Sequence, residues 1–242
     1  MNLEKELTQN MSHPDLRPRK NVFARAIGVL AEPGSTFEDI VKNPDFVMPV
    51  VFIILAGALG LVPVLHTFRT MPELIPSDVP MPPQSVTIGI TLITAIISQL
   101  IWWPLRALIF SGIGALIGSR VDFKKSLAIS GYLNVTSVLS GIITAIVIIT
   151  TGNAVVLGLG MTLSPGQLAT PWGVVLSSIN VFSLIYIILS SIALAKLWNV
   201  KISKAATITI IMWILVIAVS AGSAHLGSKM TQFQVDVGVG PN

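Results

Sequence analysis

The chain has 242 residues, 52% of them hydrophobic and 11% charged, with a mean hydropathy of +0.81. Soluble domains carry roughly 25% charged residues, so a soluble fold of this length lacks the charge to cover its surface, whereas a lipid-facing one does not need it. The net charge of +4 does not point to nucleic acid, because the basic residues flank hydrophobic runs instead of forming a soluble patch.

In chain order, residues 1–44 read as a polar arm. They hold no short apolar core followed by a small-residue cleavage site, so the first span is expected to act as its own insertion signal. Within the arm, Val22, Phe23, Ala26, Ile27 and Leu30 follow helical spacing opposite Arg25. That pattern predicts a short interfacial helix with Arg17, Arg19 and Lys20 near anionic headgroups. Glu32-Pro33-Gly34 breaks it, and Ser35 with Glu38 reads as a capping box opening a second helix, Thr36 to Lys42. Asn43-Pro44 ends that helix.

Five runs then reach the length of about 20 apolar residues that a bilayer span needs. They are Phe46 to Leu65, Val86 to Gly118, Leu127 or Leu133 to Thr150, Gly173 to Leu197, and Ala205 to Leu226. The second contains Trp102-Trp103-Pro104-Leu105-Arg106 and has two readings. In one, the span ends at a belt of Trp102, Trp103 and Arg106, and a separate apolar helix follows a kink at Pro104. In the other, one long tilted helix keeps Arg106 deeper and facing the bundle. Between spans one and two, Pro72, Pro76, Pro80, Pro82 and Pro83 predict an extended segment. The uncharged loop 151–172 carries an apolar run, Ala154 to Leu163, too short to span. It lies at the interface, re-enters the bilayer or meets a partner.

Charge tests this map independently. With the N-terminus inside and five spans, the inside segments hold twelve Lys and Arg, the outside segments hold Arg69 and Lys229, and Arg106 lies within a span. The positive-inside rule gives asymmetry of this sign. The expected fold is therefore an all-α integral membrane protein, a five-helix bundle with its N-terminus inside and C-terminus outside. Residues 1–44 form a cytoplasmic arm, 45–227 the membrane domain and 228–242 an extracytoplasmic tail.

The chemistry is sparse. All eleven Asp and Glu lie outside the predicted spans, which argues against a proton-coupled carrier or cation channel. His13, His66 and His225 form no HExxH pair, and there is no nucleophile elbow or P-loop. Without cysteine, thiolate metal sites, disulfides and palmitoylation are excluded. The reading is a chain that is not an enzyme and needs no cofactor. Hydroxyl and small residues form stripes: Ser137, Ser140, Gly141 and Thr144 on span three, and Ser177, Asn180, Ser183, Ser190 and Ser191 on span four. Gly114/Gly118 and Ala218/Gly222 are spaced for close helix contact. Asn180 stands out, because an amide buried in lipid needs partners.

Glu32-Pro33 and Thr36-Phe37-Glu38-Asp39-Ile40 before Asn43-Pro44, then Gly118-Ser119-Arg120-Val121-Asp122-Phe123-Lys124-Lys125-Ser126-Leu127 and Ser130-Gly131-Tyr132, make an arrangement that resembles the Yip family. These are the Ypt/Rab-interacting membrane proteins and their prokaryotic relatives. The resemblance covers roughly residues 23–226. It implies a multi-span bundle without catalytic activity. Eukaryotic members act in vesicle traffic with Rab-type GTPases. The short arm here has no Asp-Leu-Tyr-Gly-Pro segment, which marks those members, and this favours a prokaryotic relative in the cell membrane over an ER or Golgi protein. Some prokaryotic members accompany export complexes, including ABC-type exporters. The leading expectation is thus an accessory subunit whose partners are membrane lipids and other membrane subunits, an ABC transporter among them, or a second copy of itself. The alternatives are a small permease or channel and a GTPase-binding trafficking factor. Candidate partner-binding or structural residues are Glu32, Pro33, Phe37, Trp102, Trp103, Arg106, Tyr132 and Asn180.

Overall fold

The computed structural model describes residues 21–70, 83–153 and 156–236. Arg17, Arg19, Lys20, His13 and most of the proline-rich segment lie outside them. Among the described residues there are no strands, and five helical runs are long and apolar enough to cross a membrane.

The arm is a helical hairpin of α1 (Val22–Ala31) and α2 (Pro33–Lys42). Asn21 caps α1, its side chain accepting from the Ala24 N–H at 2.6 Å, which satisfies an amide that the first turn leaves unpaired. The second helix starts earlier than the sequence suggests. Pro33 takes its first position, where a missing N–H costs nothing, with Glu32 as the N-cap. The expected Ser35–Glu38 capping box does not form; the Ser35 hydroxyl donates to the Glu32 carbonyl and carboxylate, and Glu38 faces the bundle. Gly28 is buried against Thr36, and a Cβ there would lie 2.5 Å from the threonine Oγ1, so the hairpin closes only around a glycine.

Next come α3 (Val47–Thr70) and α4 (Gln84–Leu116). The latter is one continuous helix of 33 residues, about 50 Å long, with Pro104 inside it. Of the two readings of this region, the single long helix is the one observed. It ends in a left-handed Gly118 (φ 83°). The Ser119 N–H reaches back to the Gly114 carbonyl at 2.9 Å and the Gly118 N–H to Ala115 at 3.1 Å, which satisfies the last carbonyls of the helix. The third run is two helices, α5 (Phe123–Tyr132) and α6 (Val135–Thr151), broken at Leu133-Asn134.

The fourth run corrects the sequence reading. It is not continuous from Gly173. Helix α8 (Pro171–Ser178) stops, the chain extends through Ile179-Asn180, and α9 (Val181–Trp198) begins. Asn180 is the N-cap of α9 (φ −142°, ψ 167°). Its side chain accepts from the Ser183 N–H at 2.9 Å and the Ser183 hydroxyl accepts from the Asn180 N–H at 3.1 Å. The reciprocal cap stabilises a helix start that an apolar run alone does not announce. The loop ahead of it forms a short 3₁₀ turn (Leu159–Thr162) and α7 (Pro165–Leu168). It folds back on the break, the Leu159 N–H donating to the Ile179 carbonyl at 3.1 Å, while α8 packs against the last helix, α10 (Ile202–Asp236).

The helix ends sort into two groups. The arm, the α4–α5 turn and the α9–α10 turn share one end: Lys196 of α9 pairs with Glu38 of α2 at 2.8 Å, and the Ser119 hydroxyl donates to the Trp198 carbonyl at 2.7 Å. At the other end the His66 ring is 2.9 Å from the Gly152 carbonyl. The best-packed core sits near the arm. Val29, Phe37 and Ile40 of the arm are buried with Phe52, Ala128, Ile129, Tyr132, Leu133, Leu194 and Trp198. Burial of one such large side chain contributes roughly 1.5–3 kcal/mol. Elsewhere the helices show apolar side chains outward, including Ile90, Ile93, Ile97, Ile146, Ile149, Val216 and Val219, as lipid-facing helices do.

Candidate functional site

The arm docks through a charged side chain turned inward. Arg25, expected on the polar side of an interfacial helix, is instead 1% exposed, while Phe23 and Ile27 are 73% and 70% exposed. The inward stripe is Arg25, Gly28 and Val29, spaced as one helix face. Phe23, Ile27 and Leu30 face outward, while Val22 and Ala26 pack partly against the core. Arg25 is stable inside because a buried arginine with two carboxylate partners is stable where an unpaired one is not.

Those partners come from both sides of the α2–α3 turn. The Arg25 Nε donates to Asp39 Oδ2 at 2.8 Å, and Nη1 donates to the Asn43 carbonyl at 2.8 Å and to Asp45 Oδ2. Asp39 lies in the last turn of α2 and Asp45 just ahead of α3. Pro44 cannot donate to a continuing α2, so the chain turns there and brings the two acids onto one guanidinium. The Tyr132 hydroxyl, at the end of α5, donates to the Asp45 carboxylate. One buried cluster thus ties α1, α2, α3 and α5. Burial disfavours the charge on Arg25, but the hydrogen bonds and charges of Asp39 and Asp45 outweigh it and raise the guanidinium pKa. The group is permanently charged and holds position; it does not exchange protons.

Near the cluster lies a second polar pair. Arg106 of α4 donates through Nη2 to Asn134 Oδ1 at the α5–α6 break. Among the described residues the Arg106 Nε and the Asn134 Nδ2 find no acceptor, and no carboxylate pairs with Arg106. Trp103 is buried and donates from Nε1 to the Leu127 carbonyl at 2.7 Å, with Phe46 against its ring edge. Trp102, next to it, is 63% exposed.

A third contact clips α2 to α9. Glu38 accepts from Lys196 at 2.8 Å and from Lys42 at 3.0 Å. The two ammonium groups, Lys196 first, pull its carboxyl down to about 2.

Of the eight residues singled out from the sequence, Phe37, Trp103, Arg106 and Tyr132 gather at the arm end. Glu32 and Pro33 start α2, and Trp102 faces outward. Asn180 is a helix cap at another break; it does not share a continuous face with the serines of α9. Ser190 and Ser191 bond carbonyls of their own helix, Tyr186 and Ile187. Sequence reasoning missed Arg25, Asp39 and Asp45 as a unit. The available signal was six charged residues, Arg25, Glu32, Glu38, Asp39, Lys42 and Asp45, within 21 residues beside the first span in a chain so poor in charge.

A family model for the Yip1 domain matches residues 27–223. The chain belongs to the Yip1 domain family. The match runs from the middle of α1 into α10, so it takes in α2, the first four spans and most of the fifth. Asp39, Asp45, Arg106 and Tyr132 fall inside it and Arg25 lies two residues ahead of it. Neither a curated protein nor a solved structure matches the chain. The Yip1 domain marks a family of multi-span membrane proteins that are not enzymes.

Proposed function

We propose that this Yip1-domain chain is a non-catalytic accessory subunit of a membrane complex in a prokaryotic cell membrane, with its arm in the cytoplasm. An ABC-type exporter is the complex it suits. One observation carries the reading. No residue from 85 to 102 of α4 is buried, and one turn beyond Trp102 the same helix holds Arg106, whose hydrogen-bond partner, Asn134, is neutral. A charge within an apolar helix costs roughly 2.5–3.5 kcal/mol on insertion scales. An acidic side chain on a partner helix packed along α4 would offset that cost and cover the bare face. The outward Trp102 adds a large aromatic anchor of the kind enriched at interfaces.

The test is purification from the native host in mild detergent followed by mass spectrometry. A stoichiometric membrane partner is expected with the wild-type chain, and its loss with Arg106→Leu. Repeated recovery of the chain alone overturns the proposal. So does solute flux through liposomes holding only this chain that stops with Arg106→Ala, an outcome that makes it a permease.

A further inference from the structure

We propose that the groove between α2, the end of α9 and the start of α10 is a binding site for one anionic phospholipid, with the phosphate on Lys42 and Lys196 and the upper acyl chain along the apolar wall. The groove holds about 540 Å³. Its wall is Val41, Ile192, Val200 and Ile202; its polar rim is Lys42, Lys196 and Glu38. The lysine side chains are 57% and 41% exposed, so both ammonium groups reach the open face. Lys201 and Lys204 are exposed at the start of α10 and add to the positive field.

The occupant follows from this lining and its place in the fold. An apolar wall beside paired ammonium groups complements an amphiphile with an anionic head, and neither a free anion nor a neutral lipid uses both halves. The groove sits where the hydrophobic run of α9 ends and that of α10 begins, which is headgroup level for helices that span a bilayer. Glu38 now holds both lysines at 3.0 and 2.8 Å. Its carboxylate occupies the position a phosphate would take, so the acid competes with the lipid and limits its affinity. Lipid binding shifts the lysines from Glu38 to the phosphate and loosens the clip between arm and α9.

The experiment uses the full chain in nanodiscs and native mass spectrometry, with phosphatidylglycerol against phosphatidylcholine as probes. One tightly retained phosphatidylglycerol is expected. Lys42→Gln and Lys196→Gln should each lower its retention roughly fivefold, as one basic residue near an anionic surface contributes. Glu38→Gln should raise it. The opposite signs are decisive, because lysines that merely hold the arm in place give loss in all three variants, and that result overturns the proposal. Ala195→Phe narrows the groove without changing charge and should also lower retention; unchanged retention counts against the site. Displacement of the lipid by inorganic phosphate at equal concentration overturns the assignment to a phospholipid and makes this a free-anion site.

Discussion

The Tyr132 hydroxyl lies 3.0 and 2.9 Å from the two carboxylate oxygens of Asp45, although 87 residues separate them in the chain. This contact links the last turn of α5 to the start of α3, and through Asp45 to Arg25 and the arm. Tyr132→Phe keeps the ring and its edge contact with Phe52 while removing the hydroxyl. A hydrogen bond to a charged group contributes about 1.5–3 kcal/mol. The variant should unfold at lower temperature in detergent by an amount of that order, with helix content unchanged at 25 °C. An unaltered melting temperature would show that the hydroxyl bond contributes nothing.

Arg25 is the shared partner of Asp39 and Asp45, so its removal leaves two partly buried acids without their cation. Breaking a buried pair from one side costs about 3–5 kcal/mol. Arg25→Ala should therefore release the α1–α2 hairpin, read as faster hydrogen exchange across residues 22–42 and new protease cleavage in the α2–α3 turn. Arg25→Met with Asp39→Asn and Asp45→Asn should recover most of the protection, because no unpaired charge remains. Protection as low in the triple variant as in Arg25→Ala would mean that charge pairing is not what seats the arm.

Close approach rather than charge seats α5 on α3. A Cβ on Gly131 would overlap the Pro49 ring and come within 2.8 Å of the Trp103 Nε1. Proline is rigid, and the tryptophan is held by its bond to Leu127, so neither can give way. Gly131→Ala should destabilise by about 1–3 kcal/mol, the range for overpacking. Gly112→Ala, where nothing lies within 4 Å, is the control and should be neutral or slightly stabilising in its helix.

The clip between α2 and α9 has a pH dependence with a definite sign. The folded-state pKa of Glu38 is lowered from 4.5 to about 2 by Lys196 and Lys42. The contribution is therefore fully present above the unfolded value and is lost as pH falls through about 2. The carboxylate is 44% exposed, so solvent screens the effect and keeps it small. Because the chain has no cysteine, a spin-label pair on α2 and α9 can be introduced cleanly. The wild-type distance should hold from pH 7 to below 4 and widen toward 2. Glu38→Gln should be wider at pH 7 and show little further change. Equal distances in the two proteins at pH 7 would show that the clip does not hold the arm.

The sequence by itself determined the number of spans and that one end of the molecule is basic. Both are sums along the chain: a span is a length of apolar residues, and the asymmetry is a count of lysines and arginines. The amphipathic period of α1 was legible for the same reason, as was the stop at Asn43-Pro44. Only the tertiary structure decided which way α1 faces, where the third and fourth runs break, and that Arg25, Asp39, Asp45 and Tyr132 form one site. The cost of burying a guanidinium depends on whether acceptors stand within hydrogen-bond reach, and here they come from α2, the turn before α3 and α5. Hydropathy scores Arg25 as polar and places it outside; two aspartates folded onto it make the inside its stable position. Asn180 illustrates the same point in reverse. It reads as a buried amide seeking partners across helices, and a local reciprocal cap with Ser183 satisfies it where the helix breaks.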